Sequence, residues 1–274
     1  MLLTLVPLGG LCNRLRLLLS ALGLAGRTAC DVVVAWGNDP ECGARFDQLF
    51  EAVDGSRLRV VRRPWWAAVD TRRNLHLPWL VRRIMGYTYQ ACSPLPPTGD
   101  ALLPIVGTCR RAYVASGFQL SPYGRAELEL LKPLPRLQAR IDSLTARFAE
   151  YTVGVHIRRT DNARSIAGSP VAAFRRAMEA EMARHSGVVF FLATDDGALK
   201  QGLLKDYPGR IIAQVTDARR DNLQGMEEAV VDLWCLAATK KLLASYWSSF
   251  SDTAAELGGI PMEVVRGDPS PPPF

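Results

Sequence analysis

The residues best suited to chemistry lie in the run HIRRTDN, which begins at the end of an apolar stretch. Apolar side chains alternate along residues 151–157, a pattern that predicts a short buried strand ending where the polar residues cluster. Arg158 and Arg159 are adjacent, and a guanidinium fork can grip two oxygens of one phosphate, so they predict an anion site. Asp161 could hold an arginine or accept from a sugar or base. The alternative is a strand end with solvated charges.

Two more polar turns follow predicted strands, ATDD after residues 188–193 and SYWSSFSD after residues 241–244. The carboxyl ends of parallel strands share one edge of a sheet, where open α/β proteins bind their ligands. Ser248 and Ser249 offer hydroxyls and backbone N–H groups at a predicted helix start, which suits phosphate as well as an ordinary N-cap. The three turns therefore predict one site built from distant parts of the chain.

The acidic residues near these turns have more than one interpretation. Asp195 and Asp196 could cap the helix that they precede, support an arginine or bind a metal. They are adjacent rather than spaced as D-x-D, and arginines already serve as partners for an anion, so we expect no metal. Asp232 lies in a predicted helix over residues 226–239, either as a surface residue or as a buried acid that accepts from a base amino group.

The N-terminal segment reads as a strand over residues 2–6, the turn PLGGLCN and a leucine-rich helix over residues 13–25. A glycine turn between a strand and a helix brings backbone N–H groups close to a phosphate or sugar. Gly10 and its neighbour allow such an approach, and the alternative is a tight β-to-α connection.

Strands and helices alternate regularly in the second half, which predicts a parallel, doubly wound α/β sheet. We place the boundary between two Rossmann-like domains so that they cover residues 1–130 and 131–274. Further strands are predicted over residues 31–35, 57–61, 112–116, 210–213 and 262–265, and further helices over residues 134–150, 170–185, 196–205 and 252–257.

The composition limits the kinds of ligand and site that we expect for this protein. The 274 residues carry a formal net charge of +6, and lysine is scarce, so arginine supplies most of the positive charge. Arginine favours phosphate recognition, in a nucleotide or in a nucleic acid. The six cysteines form no C-x-x-C pair, which argues against a zinc site and fits reduced thiols. Neither a signal peptide nor a membrane span is evident, and we expect a cytoplasmic protein.

Three segments, taken in order, resemble one known family. VGVHIRRTD, FFLATDD and VVDLWCLAATKKLLASYWSSFS are similar to the donor domain of the fucosyltransferase superfamily, most closely the α1,6-fucosyltransferases of N-glycan cores. The likeness covers about residues 151–258, with a weaker match at GGLCNRL. It implies the GT-B fold, two Rossmann-like domains facing each other across a cleft. It also implies an enzyme that transfers fucose from GDP-fucose with inversion and without a metal or cofactor.

The resemblance implies a role for each residue that matches a family motif. Arg158 would hold the β-phosphate, Ser248 and Ser249 would meet the phosphates, and His156 and Asp232 would bracket the guanine. Asp195 and Asp196 would support Arg158 or Arg159, and Gly10 with Asn13 would close the other side. The implied donor-binding set is His156, Arg158, Arg159, Asp195, Asp196, Asp232, Ser248, Ser249, Gly10 and Asn13.

The chain departs from the α1,6-enzymes where they carry a lysine and a glutamate base. Those places hold Asn162 and Ile166, so the base candidates are Asp161, Glu227 or a residue of the N-terminal half. We expect Arg158 and Asp161 to be catalytic and the acceptor to be a glycan or glycoconjugate. The alternatives are transfer of another GDP-linked sugar, nucleotide-sugar binding without catalysis, and an arginine-rich nucleic-acid-binding protein. The arginines are scattered through predicted loops, so we expect no nucleic-acid partner.

Overall fold

A computed structural model describes residues 1–53, 57–64, 67, 77–93, 99–160, 162–215 and 219–267. The chain divides into two compact units, one of Met1–Leu134 with Arg220–Met226 and one of Pro135–Arg219 with Glu227–Phe274. The division after Leu134 lies close to the predicted boundary at residue 130. The segment Arg220–Met226, within the predicted second domain, groups by its contacts with the first unit, and the domain bounds remain a prediction.

The first unit contains a five-stranded parallel sheet with the order β3-β2-β1-β5-β4. Its elements are β1 (Leu2–Pro7), α1 (Leu11–Arg27), β2 (Asp31–Trp36), β3 (Leu58–Arg62), α2 (Trp79–Ile84), β4 (Tyr89–Ser93), β5 (Arg111–Ser116) and α3 (Arg125–Glu129).

The central strand β1 and the helix α1 form the core of this unit. Five of the six residues of β1 are buried, and the leucines of α1 are buried on nearly every side. The sequence did not predict β4, because YQACS lacks a clear apolar alternation and runs into a proline-rich segment. As an edge strand, β4 needs only one pairing partner, β5.

The second unit contains a five-stranded parallel sheet with the order β10-β9-β6-β7-β8. Its strands are β6 (Thr152–Ile157), β7 (Val189–Thr194), β8 (Ile211–Ile212), β9 (Lys241–Ser245) and β10 (Met262–Val265). The helices are α4 (Pro135–Thr145), α5 (Ala163–Gly168), α6 (Val171–Arg184), α7 (Gly197–Asp206), α8 (Leu223–Ala237), whose first turn belongs to the first unit, and α9 (Ser249–Gly258).

The strand order of the second unit identifies where it would bind a ligand. The chain builds outward from β6 to β7 and β8, then returns to the other side of β6 for β9 and β10. The order therefore reverses between β6 and β9, and doubly wound sheets bind ligands beyond the carboxyl ends of strands at such a switch point. Both sheets are parallel and associated with helices, which confirms the α/β class predicted from the sequence.

Close packing fixes β6 at the centre of its sheet. All six of its residues are buried, and Val153, Val155 and Ile157 join the core of the unit. A side chain at Gly154 would bring its Cβ within 2.9 Å of the Thr239 Oγ1, so glycine is required there. None of the helices in the described ranges combines the length and apolarity of a bilayer span.

Candidate active site

The hydroxyl of Ser245 joins the carboxyl ends of β6 and β9 at the switch point. The backbone N–H of Arg158 donates to Ser245 Oγ at 3.0 Å, and that hydroxyl donates to the carbonyl of His156 at 3.1 Å. This side-chain bond links the first residue after β6 to the last residue of β9. Arg158 is therefore held at the edge of the sheet where the chain leaves β6.

Asp195, the first residue after β7, holds the backbone that follows Arg158. Its carboxylate accepts from the N–H of Arg159 at 2.7 Å, and from the Thr160 hydroxyl at 2.7 Å and N–H at 3.4 Å. Three donors from two adjacent residues on one carboxylate fix the direction in which the chain turns. Asp195 thus supports the arginine segment through its backbone.

The guanidinium of Arg159 contacts the protein itself. Its Nη1 donates to the carbonyls of Ile166 at 3.4 Å and Ser169 at 3.1 Å, at the end of α5. These contacts use one nitrogen of the guanidinium, and binding of one anion by both adjacent arginines remains a prediction. Arg159 ties α5 to the loop after β6, whereas Arg158 lies at the switch point.

The N-terminus of α9 has the features of an anion site. Ser248 is the N-cap and is 5% exposed, yet its hydroxyl caps no helix N–H and has no hydrogen-bond partner in the described structure. Ser249 is the first helical residue and is half-buried. An unsatisfied buried hydroxyl beside the open N–H groups of a ten-residue helix is what an anionic group would satisfy.

His156 contacts the first turn of α9. Its Nδ1 lies 2.7 Å from Ser251 Oγ, and its ring centroid lies 4.8 Å from that of Phe250. Burial, with the positive charge of Arg158, lowers the pKa of His156 to about 3, so the ring is neutral. The guanine contact that the resemblance implies for His156 remains a prediction; in the structure the side chain is 6% exposed and contacts Ser251 in the first turn of α9.

Asp232 is a buried acid within a polar network, and the surface interpretation is wrong. Its Oδ1 accepts from Gln214 Nε2 at 2.7 Å, while Gln214 Oε1 accepts from Arg140 at 2.8 Å. Burial raises the pKa of Asp232 to about 7, against the opposing effect of the Gln214 hydrogen bond. Among the described residues, the hydrogen bond to the Asp232 carboxylate is the one that Gln214 donates to Oδ1.

Asp196 is the N-cap of α7, as the capping interpretation predicts. Its Oδ1 accepts from the N–H of Leu199 at 2.9 Å. Asp195 and Asp196 therefore act on different backbone segments although they are adjacent. No cluster of three or more metal-ligating side chains occurs among the residues that the structure describes.

Of the two named candidates for the catalytic base, the structure describes only one. Asp161 lies outside the described residues. Glu227 is ion-paired with Arg136 and lies 3.9 Å from Arg140. Arg136 and Arg140 already engage both oxygens of the Glu227 carboxylate. Glu227 is thus a poor candidate for accepting a proton.

Gly10 and Asn13 lie in the first unit, where the turn after β1 opens α1. Gly10 is the N-cap of α1, and its neighbour Gly9 has a φ of 79°, in the left-handed region. A Cβ at Gly9 would lie 2.8 Å from Asn13 Nδ2. The positive φ therefore favours glycine at that position, and the close approach of a phosphate or sugar to this turn remains a prediction.

Sequence reasoning missed the residue that holds this turn, Arg14. It is fully buried and donates to the carbonyls of Gly9 and Gly37 and to the carboxylate of Asp39, each at 2.7 Å. The Gly9 N–H donates to Glu41 Oε2 at 3.1 Å. An arginine within an otherwise leucine-rich helix was the signal that could have identified it.

Comparisons with known proteins show which solved structures share the fold of this chain. No family model and no curated protein sequence matches the chain. It is structurally similar to NodZ α-1,6-fucosyltransferase soaked with GDP-fucose, with 19% identity, a TM-score of 0.62 and coverage of 93% of this chain and 92% of NodZ.

Two other solved structures are similar. A mutant of Arabidopsis thaliana FUT1 in complex with GDP has 12% identity and a TM-score of 0.65, over 98% of this chain and 71% of FUT1. POFUT1 in complex with GDP has 12% identity and a TM-score of 0.58, over 96% of this chain and 98% of POFUT1. The chain therefore shares the fold of solved fucosyltransferases.

Proposed function

We propose that this protein is an inverting, metal-independent glycosyltransferase of GT-B architecture that transfers fucose from GDP-fucose to a glycan or glycoconjugate. The observation that carries the proposal is the switch point of the second unit. There, Arg158 and the buried, unpartnered hydroxyl of Ser248 at the start of α9 lie beyond two adjacent parallel strands. Fold alone does not determine function, and this arrangement adds a chemical argument to the fold of solved fucosyltransferases.

The diphosphate of the donor would bind at the N-terminus of α9. The helix presents backbone N–H groups and a positive dipole end, and the Ser248 hydroxyl would gain an acceptor in a phosphate oxygen. His156 holds this turn through Ser251. Arg158 would supply the positive charge and a fork of N–H donors for a phosphate.

The guanine would be read by Asp232. A carboxylate that accepts from the ring N–H and the exocyclic amino group distinguishes guanine from adenine, which has neither donor at those positions. Gln214 orients the carboxylate through Oδ1, and Oδ2 would accept from the guanine. The network from Arg140 through Gln214 to Asp232 would thus set the choice of GDP over ADP.

Transfer would break the bond between the anomeric carbon and the β-phosphate oxygen as an acceptor hydroxyl oxygen bonds to the opposite face of that carbon. The electron pair goes to the departing GDP, whose phosphate gains negative charge. Donors already aligned on that oxygen, from Arg158 and from the start of α9, lower the barrier. The acceptor proton goes to a base, and we assign Asp161 this role from its place in the motif.

The experiment that tests the proposal is GDP release from GDP-fucose with a panel of glycan acceptors, in EDTA and in manganese. We expect turnover that EDTA leaves unchanged. Complete loss with EDTA and recovery with manganese would contradict metal independence. Turnover of GDP-mannose with no turnover of GDP-fucose would assign the other proposed donor class. Asp161→Asn tests the base: it should abolish transfer but keep GDP binding.

A further inference from the structure

Trp247 has a backbone conformation that its side chain disfavours. It is the one residue other than glycine with a positive φ, 56°, in the part of the chain that the structure describes. Bulky side chains adopt this left-handed region at an energetic cost, and glycine would adopt it freely. Strained residues of this kind persist where their surroundings fix them, and they cluster at functional sites.

The neighbours of Trp247 hold both its backbone and its ring. The Trp247 carbonyl accepts from Asn162 Nδ2 at 3.0 Å, and Asn162 Oδ1 also caps α5 by accepting from the N–H of Ser165 at 3.1 Å. The guanidinium carbon of Arg164 lies 5.1 Å from the indole centroid, within the range of a cation–π contact. The N–H of the preceding residue, Tyr246, donates to Ser169 Oγ at 2.8 Å.

The indole is nevertheless left open to solvent. Trp247 is 56% exposed, although it is among the largest apolar side chains of the unit. It directly precedes Ser248, the N-cap whose buried hydroxyl lacks a partner. A rigid aromatic surface therefore lies one residue from the proposed phosphate site. The turn itself does not require a tryptophan, because glycine would form it with less strain.

We propose that Trp247 is the platform on which the sugar ring of the donor packs, which makes it a specificity-determining residue. The inference rests on the proposed function. A sugar bonded to a phosphate at the start of α9 lies within reach of the preceding residue. One face of such a ring carries C–H bonds that pack on an aromatic surface, while its hydroxyls stay in water. Arg164 would keep the indole in the orientation that the ring contacts.

The test compares the Kd of GDP with the Kd of GDP-fucose, without acceptor, in the wild type and in Trp247→Phe, Trp247→Ala and Trp247→Gly. Removing the aromatic partner of a stacked nucleobase costs ~1–3 kcal/mol, which is about five- to 150-fold, and we use this range as the scale for a sugar ring on an indole. We expect Trp247→Ala to weaken GDP-fucose by about tenfold and GDP by less than twofold. Trp247→Phe should retain most of the difference between the two ligands.

Trp247→Gly separates a binding role from a structural one. Glycine relieves the backbone strain at φ 56°, so its Tm should stay at or above that of the wild type while GDP-fucose binding falls as in Trp247→Ala. Trp79→Ala is the matched control, because Trp79 is also exposed, at 66%, and belongs to the first unit. It should leave both Kd values unchanged.

Three outcomes would overturn the inference. Equal weakening of GDP and GDP-fucose would give Trp247 a role in the nucleotide site or in the loop. Unchanged Kd values with a raised KM for the acceptor would make it an acceptor residue. A wild type that binds neither GDP nor GDP-fucose would instead overturn the proposed function, and with it this inference.

Discussion

The carboxylate of Asp195 and the backbone N–H of Arg159 are joined by a hydrogen bond of 2.7 Å across the ends of two adjacent strands, β7 and β6. The same carboxylate accepts a hydrogen bond from the Thr160 hydroxyl at 2.7 Å. The turn that carries Arg158 is therefore positioned by a residue of the next strand. Asp196, the following residue, instead caps α7.

This division of roles predicts different results for two matched variants. Asp195→Asn replaces one acceptor oxygen by an NH₂ group and removes the charge, and hydrogen bonds to charged groups contribute ~1.5–3 kcal/mol. We expect kcat to fall roughly ten- to hundredfold. Asp196→Asn should change neither kcat nor Tm by much, because asparagine caps helices as well as aspartate does. Equal effects of the two variants on kcat would contradict the role given to Asp195.

Arg158→Lys should be nearly as damaging as Arg158→Ala. Lysine keeps the positive charge but loses the fork of N–H donors that matches two phosphate oxygens. The loss of one donor aligned on a developing anion costs ~3–4 kcal/mol, or about a hundred- to a thousandfold in turnover. The measurement is GDP release from GDP-fucose together with the Tm of each variant.

A surface arginine provides the control for this pair. Arg125 forms an exposed ion pair with Glu129 at 2.9 Å, and such pairs contribute little. Arg125→Lys should therefore keep wild-type turnover. Wild-type turnover in Arg158→Lys would show that Arg158 does not bind the phosphate through its fork of donors. A large fall in Tm in both Arg158 variants would show that the residue is structural.

Ser248→Ala should weaken GDP binding without weakening the fold. Its hydroxyl is buried with no partner among the described residues, so its removal leaves Tm equal or higher. Thr253→Val is the matched control on the same helix, because the Thr253 hydroxyl is also buried and lacks a partner there. It should raise Tm similarly and leave the Kd of GDP unchanged. GDP affinity that is insensitive to Ser248→Ala would argue against a phosphate at this helix terminus.

The raised pKa of Asp232, about 7, predicts a pH dependence of both binding and stability. Guanine needs the ionised carboxylate as acceptor, so GDP affinity should rise about tenfold between pH 6 and pH 8. Stability changes in the opposite sense. The folded pKa lies above the ordinary value of ~3.9, so the contribution to stability is fully present below pH ~4 and is lost as pH rises through about 7.

Asp232→Asn checks both parts of this prediction. The amide cannot ionise, so the variant should lose the rise in GDP affinity and most of the GDP-over-ADP preference. It should also be more stable than the wild type at pH 8, by up to ~4 kcal/mol, because it carries no buried charge. If the variant keeps both the pH dependence and the preference, Asp232 is a structural acid.

The sequence predicted the elements of the second unit well because their patterns are local. The apolar alternation before Arg158 is β6, and the apolar run at residues 188–193 is β7. The short helix α5, of six residues, was not predicted because it contains too few turns to develop a helical period. Edge strand β4 was not predicted because it is neither continuously apolar nor regularly alternating.

The partners of the site residues could not be predicted from the sequence. Arg158 and Arg159 are the same residue type at adjacent positions, so the sequence does not distinguish them. The position of α5 gives the Arg159 guanidinium two carbonyl partners. Asp195 and Asp196 are likewise alike in sequence, and only their placement relative to β6 and α7 separates their roles. Gln214 follows a strand of two residues, and its contact with Asp232 depends on how α8 packs against that strand.

The most direct test of the central claim is thermal unfolding of the wild type with GDP, GDP-fucose, ADP and UDP, each with EDTA. A ligand that binds only the folded state adds ~2.7 kcal/mol of stability at a hundredfold excess over its Kd. We predict a clear rise in Tm with GDP and GDP-fucose and none with ADP or UDP. Equal shifts with all four nucleotides, or a shift with none of them, would contradict a guanine-specific donor site.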